Sequence, residues 1–173
     1  MVVIREKTVV DEDGVAEIVA LATKDLRRAY APTPRADRMA TLNEKNGSLS
    51  LVAIAGNFVA GVVEYCVRYD EIYIQGLAVH PQQRQRGIAS ALIRTIERIA
   101  INFGKSKVSL STIKETGNLT FFVKLGFNVV SETPAEGFLG ADGHQVTKVN
   151  MCRIPTTTAS AIEFADDARQ QEA

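Results

Sequence analysis

The stretch Gly76-Leu77-Ala78-Val79-His80-Pro81-Gln82-Gln83-Arg84-Gln85-Arg86-Gly87-Ile88-Ala89 constrains the fold more than any other part of the chain. Its first half reads as the end of a strand, and Pro81 stops that strand. Its last residues open the most regular helix in the sequence. Ile88, Leu92, Ile93, Ile96, Ile99, Ala100 and Phe103 form one apolar stripe at helical spacing, with Arg94, Glu97 and Arg98 lying off it. Gly104 follows as a C-terminal stop. A strand that runs straight into a helix with one apolar face calls for a sheet with that helix layered on it.

The flanking pattern extends this plan. Val2-Val3-Ile4-Arg5 reads as a strand. Val15, Ile18, Val19, Ala22 and Leu26 then recur at helical spacing, with Asp11, Glu12 and Asp13 leading and Lys24, Arg27 and Arg28 trailing, as a helix dipole favours. Pro32 and Pro34 close that helix, and residues 35–44 read as a second, short one. The longest uncharged run, residues 46–63, has the length of a membrane span, but Gly56-Asn57 in its middle marks a hairpin of buried strands, 48–55 and 58–69. Further strands are expected at 72–79, 108–113, 127–130 and 145–154, with a short helix at 118–125. The order β-α-α-β-β-β-α-β-α-β-β predicts a mixed α/β (α+β) fold. Its mainly antiparallel central sheet has six to seven strands flanked by helices. A chain of 173 residues fits one domain, here 1–154, followed by a flexible, polar tail over 155–173.

Twenty Lys+Arg offset twenty Asp+Glu, so the basic excess of a phosphate-neutralising nucleic-acid binder is missing. With 46% apolar residues there is enough surface to bury for a stable core, which excludes wholesale disorder. His80 and His144 are too few for a histidine-built metal site, and no metal is expected. Cys66 and Cys152 form no CxxC pair and read as two buried thiols. No apolar leader follows Met1, so a cytoplasmic protein without membrane attachment is expected.

The strand–turn–helix also has a chemistry. The first turn of a helix carries N–H groups without intrahelical partners, and the dipole adds partial positive charge there. Gly87 and the small Ala89 let a ligand approach the backbone closely, while Arg84 and Arg86 add full charges. Together they suit a phosphate or pyrophosphate. The glycine pattern is neither G-x-x-x-x-G-K-[ST] nor G-x-G-x-x-G, which disfavours the common nucleotide loops.

A second block lies downstream: Glu115-Thr116-Gly117-Asn118, then Phe121-Phe122-Val123-Lys124-Leu125-Gly126-Phe127. With Leu77-Ala78-Val79-His80-Pro81 and Arg84-x-x-Gly87-x-Ala89, it resembles the GNAT superfamily of acyl-CoA-dependent N-acetyltransferases, whose second block ends in F-Y-x-K-L-G-F. The resemblance covers roughly residues 1–154. It implies acetyl-CoA as co-substrate, its pyrophosphate cradled by the backbone of Arg84, Gln85, Arg86, Gly87, Ile88 and Ala89. Leu77, Ala78 and Val79 would line the thioester arm, with the Leu77 N–H on the thioester carbonyl. Such a donor stabilises the negative charge that amine attack puts on that oxygen. Gly76 suits a β-bulge that would free this donor from the ladder. Asn118 matches a position that contacts the cofactor arm and is also a candidate N-cap.

Phe122 stands where many members have Tyr, whose phenol protonates the leaving thiolate; that role is empty here or filled by another group. Absent a bulge, Glu71, Tyr73, Gln75 and Leu77 share one strand face, which makes Glu71 and Tyr73 candidates for the base. His80 and His144 sit in turns and are weak candidates. No basic residue neighbours either cysteine in a way that activates it, so direct transfer in a ternary complex is preferred over an acetyl-cysteine route. The expected function is transfer of acetyl from acetyl-CoA to a primary amine on a small molecule or peptide, without nucleic acid. The alternative is a non-catalytic acyl-CoA sensor or scaffold. Residues 28–47 and 134–143 would set the acceptor. The motifs leave oligomeric state open, a homodimer included.

Overall fold

The computed structural model describes residues 1–36 and 47–156. Eight strands form one sheet: β1 (Val2–Glu6), β2 (Tyr30–Pro32), β3 (Leu49–Ala55), β4 (Phe58–Val67), β5 (Glu71–Val79), β6 (Lys107–Ile113), β7 (Asn128–Gly140) and β8 (Gln145–Arg153). Helices α1 (Glu12–Leu26), α2 (Ile88–Asn102) and α3 (Asn118–Lys124) pack on it. The spatial order is β1-β3-β4-β5-β6-β8-β7-β2. Every pairing is antiparallel except β5 with β6, which α2 joins by a crossover. None of the helices among the described residues is long and apolar enough to cross a membrane.

Alternation along the strands sends side chains to two cores. On one face Leu51, Ala53, Val63, Tyr65, Ile72, Ile74, Val108, Leu110, Val149 and Met151 meet Ile88, Leu92, Ile93, Ile96 and Ala100 of α2. Leu119 and Phe122 of α3 join them. On the other face Val52, Val59 and Val62 pack on Ile18 and Val15 of α1. The start of α2 sits directly on the sheet, because Gly61 of β4 leaves room for it. A Cβ there would lie 2.9 Å from the Ile88 side chain.

The mixed, mainly antiparallel sheet flanked by helices is the one the sequence predicts, with eight strands in place of six to seven. The addition, β2, is three residues long and contains Pro32, so its composition reads as a helix stop. It pairs only with β7. That strand is also longer than the expected 127–130: it continues through Pro134 to Gly140, so much of the segment read as a specificity loop is strand. Its ladder with β8 slips between Pro134 and Leu139. Two side chains in and just after α2 differ from the expected pattern. Phe103, just past the helix, is exposed, whereas Glu97 is buried because Arg153 of β8 reaches it, Nε to Oε1 2.6 Å. Burial raises the Glu97 carboxyl above its usual range, and Arg153 opposes that rise. Cys66 and Cys152 are half-buried, not buried as expected, and both are free thiols. The helix expected over 35–44 and the tail after residue 156 lie outside the described residues, residues 34–36 being helical.

Asp11 anchors the entry to α1. Its carboxylate takes two hydrogen bonds from the Arg5 guanidinium, at 2.6 and 2.8 Å, and one each from the Thr8 N–H and hydroxyl, at 2.7 and 2.9 Å. The Arg5 bonds, then the Thr8 N–H, hold its pKa far below the usual carboxylate range. A depressed carboxyl contributes stability that is complete above its unfolded pKa, about 4, and is lost as pH falls through the folded value. Asp11→Asn should therefore cost about 1.5–3 kcal/mol at pH 7, as expected for bonds to a charged group. Its urea midpoint should fall less than that of the wild type between pH 5 and pH 2.

Candidate active site

β5 runs beside β6 only as far as the pair Ile74–Leu110, although β5 continues to Val79 and β6 to Ile113. The parting coincides with a bulge: Tyr65 of β4 faces Ile74 and Glu64 faces Gly76, which leaves Gln75 as the extra residue. The bulge the sequence suggested at Gly76 thus falls one residue earlier. It also breaks the alternation. Leu77 and Val79 join the α2 face with Ile72 and Ile74, so Leu77 does not share the face of Glu71 and Tyr73.

The phase of the ladder decides which amides are free. His80 donates its N–H to the Ala60 carbonyl at 2.9 Å. In an antiparallel ladder that phase turns the amides of Gly76 and Ala78 toward β4 and those of Leu77 and Val79 away from it. On that outer side β6 has already left. The Leu77 N–H therefore points into the fork between β5 and β6.

Two cavities meet at this fork. One, of about 610 Å³, runs along Leu77, Ala78 and Val79 to Arg84, Gln85, Gly87, Ile88, Ala89 and Ser90 at the start of α2. The other, of about 660 Å³, opens between Gln75, Gly76, Ser111, Thr133, Glu136, Phe138 and Lys148. Leu26, Leu77, Thr116, Asn118 and Phe122 line both.

The floor of the first cavity is backbone. Gln85 and Gly87 both take left-handed conformations, with φ of 62° and 76°. Consecutive turns of this kind make the intervening N–H groups converge into an anion-binding nest. Among the described residues, the N–H groups from Gln85 to Ser90 have no hydrogen-bond partner, whereas that of Ala91 donates to the Gly87 carbonyl at 2.9 Å. A Cβ at Gly87 would meet nothing within 4 Å, so the space above it is open to a ligand.

The side chains are disposed less evenly. Arg84 donates to the Val79 carbonyl at 3.3 Å and to Asp25 of α1 at 3.2 Å, which ties α1 to the loop. Arg86 donates to Gln83 at 3.1 Å and does not line the cavity. Ile88 is buried and can offer only its backbone. Asn118 is the first residue of α3 behind the cap Gly117, not the cap itself. Its N–H donates to Thr116 Oγ1 at 3.2 Å. Phe122 packs edge-on against Phe127, ring centroids 6.1 Å apart. His80 Nδ1 accepts the Gln82 N–H and caps its own turn.

These observations agree with a match between residues 15–127 and the sequence model of the acetyltransferase (GNAT) family. The chain belongs to the GNAT family. Solved structures with the same fold include the ribosomal-protein-S18-alanine N-acetyltransferase from Escherichia coli. It is 18% identical, with a TM-score of 0.67, over 95% of this chain and 100% of that one. An aminoglycoside 6'-N-acetyltransferase from Enterococcus faecium is 14% identical, with a TM-score of 0.65, over 90% of this chain and 98% of that one. An aminoglycoside 6'-N-acetyltransferase complexed with coenzyme A is 14% identical, with a TM-score of 0.66 and the same coverage. No curated protein matches significantly by sequence.

In this GNAT domain neither expected base lines either of these two cavities. Glu71 receives Arg68 at 3.0 Å and the Ser109 hydroxyl at 2.8 Å, with Lys107 at 4.0 Å. Tyr73 lies under the Arg68 guanidinium, 3.8 Å from its ring, and donates to Ser111 at 3.2 Å. Ser111, Tyr30, Glu136 and Lys148 line the second cavity without any sequence motif announcing them, beside Thr116 of the second block. Tyr30 stands edge-on to Phe138, centroids 5.6 Å apart, and burial raises its phenol pKa further above the physiological range. If Glu71 serves to hold β5 and β6 together, Glu71→Gln should cost about 0.5–1.5 kcal/mol of stability, the net worth of one hydrogen bond made by this half-buried carboxylate. Urea denaturation should register that loss, while ligand binding in the first cavity stays unchanged.

Proposed function

We propose that this GNAT domain transfers acetyl from acetyl-CoA to a primary amine by direct attack in a ternary complex. The free Leu77 N–H at the junction of two cavities carries the reading. The first cavity suits the cofactor: its N–H groups from Gln85 to Ser90 are unpaired, and Arg84 adds charge beside them. Bound there, acetyl-CoA supplies the acetyl group as a thioester. The second cavity then admits the amine from the opposite side of the fork, on a small molecule or the end of a peptide.

Leu77 would donate to the thioester oxygen as negative charge collects on it. A fixed backbone donor of this kind is worth several kcal/mol in the transition state, on the order of 10²–10³ in rate. As the N–C bond forms, the C–S bond breaks; the surplus proton on nitrogen passes to water, and sulfur leaves as thiolate. Glu71 is committed to Arg68 and Ser109, which supports a reaction without a dedicated carboxylate base. The Phe122 ring offers no proton. A thiol has an intrinsic pKa of about 8.5, so its departure as thiolate needs little acid help.

Two experiments test the parts. Calorimetric titration should show CoA binding by the wild type and none by Gly87→Glu. Gly87→Ala separates charge from strain, since at φ of 76° any side chain is strained but only glutamate repels phosphate. Undiminished binding by Gly87→Glu would move the cofactor elsewhere. Thiol release from acetyl-CoA should require an amine, and Phe122→Tyr should leave kcat equal or higher, with Phe122→Ala lowering it modestly. CoA binding without thiol release for any amine would favour a sensor.

A further inference from the structure

Ser111 is the point where a polar chain running across one face of the sheet, half-buried from Tyr73 to Asn150, reaches the fork. The Tyr73 hydroxyl donates to Ser111 Oγ at 3.2 Å, and Ser111 donates to Asn150 Oδ1 at 2.7 Å. Asn150 Nδ2 in turn donates to Ser131 Oγ at 2.9 Å. The chain crosses β5, β6, β8 and β7, with Asn150 directly opposite Ser111 on one side and Ser131 on the other. Its far end is clamped: Arg68 lies on the Tyr73 ring and is itself held by Glu71. Of the chain's members, Ser111 alone lines the cavity that also holds Leu77, Asn118 and Phe122.

A hydroxyl has one proton to give and two lone pairs to offer. Ser111 has given its proton to Asn150 and one lone pair to Tyr73. One lone pair remains, and it can accept only from a donor. A carbonyl, carboxylate or thiolate presented to it would be repelled, whereas an N–H would be held. A primary amine can donate one N–H and keep its own lone pair directed elsewhere.

We propose that Ser111 is the hydrogen-bond acceptor that orients the attacking amine, with Tyr73 and Asn150 as positioning residues that keep its hydroxyl turned the right way. This rests on the acyltransferase reading and adds to it. Tyr73 acquires a role that requires no contact with substrate, which accounts for its place behind the cavity wall.

The test titrates phenethylamine, butane-1,4-diamine and alanine amide into the protein by calorimetry, with and without saturating CoA, and measures thiol release from acetyl-CoA in parallel. Ser111→Ala should weaken binding of the best of the three amines about tenfold, the usual effect of one lost hydrogen bond. Ser111→Thr, which keeps the hydroxyl, should restore it to within about threefold. Tyr73→Phe should fall between them, through a freed Ser111 rotor. CoA affinity should be unchanged in all three, which a general loss of structure would not leave intact. Should Ser111→Ala fail to fold, Tyr73→Phe against Ser111→Thr makes the same comparison. Wild-type affinity for the amines in Ser111→Ala or Tyr73→Phe would overturn the proposal, as would failure of the wild type to bind any of them. Amines that bind through Ser111 without thiol release would count against the acyltransferase reading alone.

Discussion

The separation of β5 from β6 after Ile74–Leu110 is the constraint on which the site depends. Two parallel strands buried between helices normally run on together, because each unpaired amide costs free energy. Here the extra residue Gln75 turns β5 away, and the five residues from Gln75 to Val79 have no partner on β6. The exposed donors are tolerable only where something else can bind them. The Leu77 amide is aimed into this fork. The strain is local, since β4 keeps its ladder with β5 as far as Val79.

The two helices beside the fork depend on the same geometry. Because β5 bends, its end delivers Pro81 and Arg84 to the N-terminus of α2, whose buried stripe pins it to the sheet. The unpaired amides of Gln85 to Ser90 are held on a rigid element, as a preorganised anion site requires. Arg84 bridges to Asp25, so α1 forms the opposite wall without belonging to any motif. On the second face the strands carry hydroxyls and amides in place of aliphatic residues, which gives the second cavity a polar floor beside the apolar wall of Tyr30 and Phe138.

Much of this was legible in residue order. The stripe from Ile88 to Ala100 and the glycine at 87 identified both a helix and the open backbone of its first turn, since each depends on residues within a few positions. Phe122 was singled out by the same block that suggested the family, and it lines both cavities. Glu71 was a candidate base in the sequence, which could not show its partners: Arg68 is local, but Ser109 and Lys107 lie on β6, reached only after the crossover. The burial of Glu97 was hidden for a similar reason: Arg153 reaches it from the last strand.

The sequence by itself therefore determined the elements, the two-faced character of α2 and the amide cradle at its start, because hydrophobic period, chain stiffness and helix ends act over short separations. Only the tertiary structure decided where β5 leaves β6, which strand β7 takes as its far neighbour, and what surrounds Ser111. Tyr73 and Ser111 are 38 residues apart in the chain, and Ser111 and Asn150 are 39. Strand pairing is the interaction that erases such distances, and its register rests on the packing of the whole sheet, which no local stretch encodes.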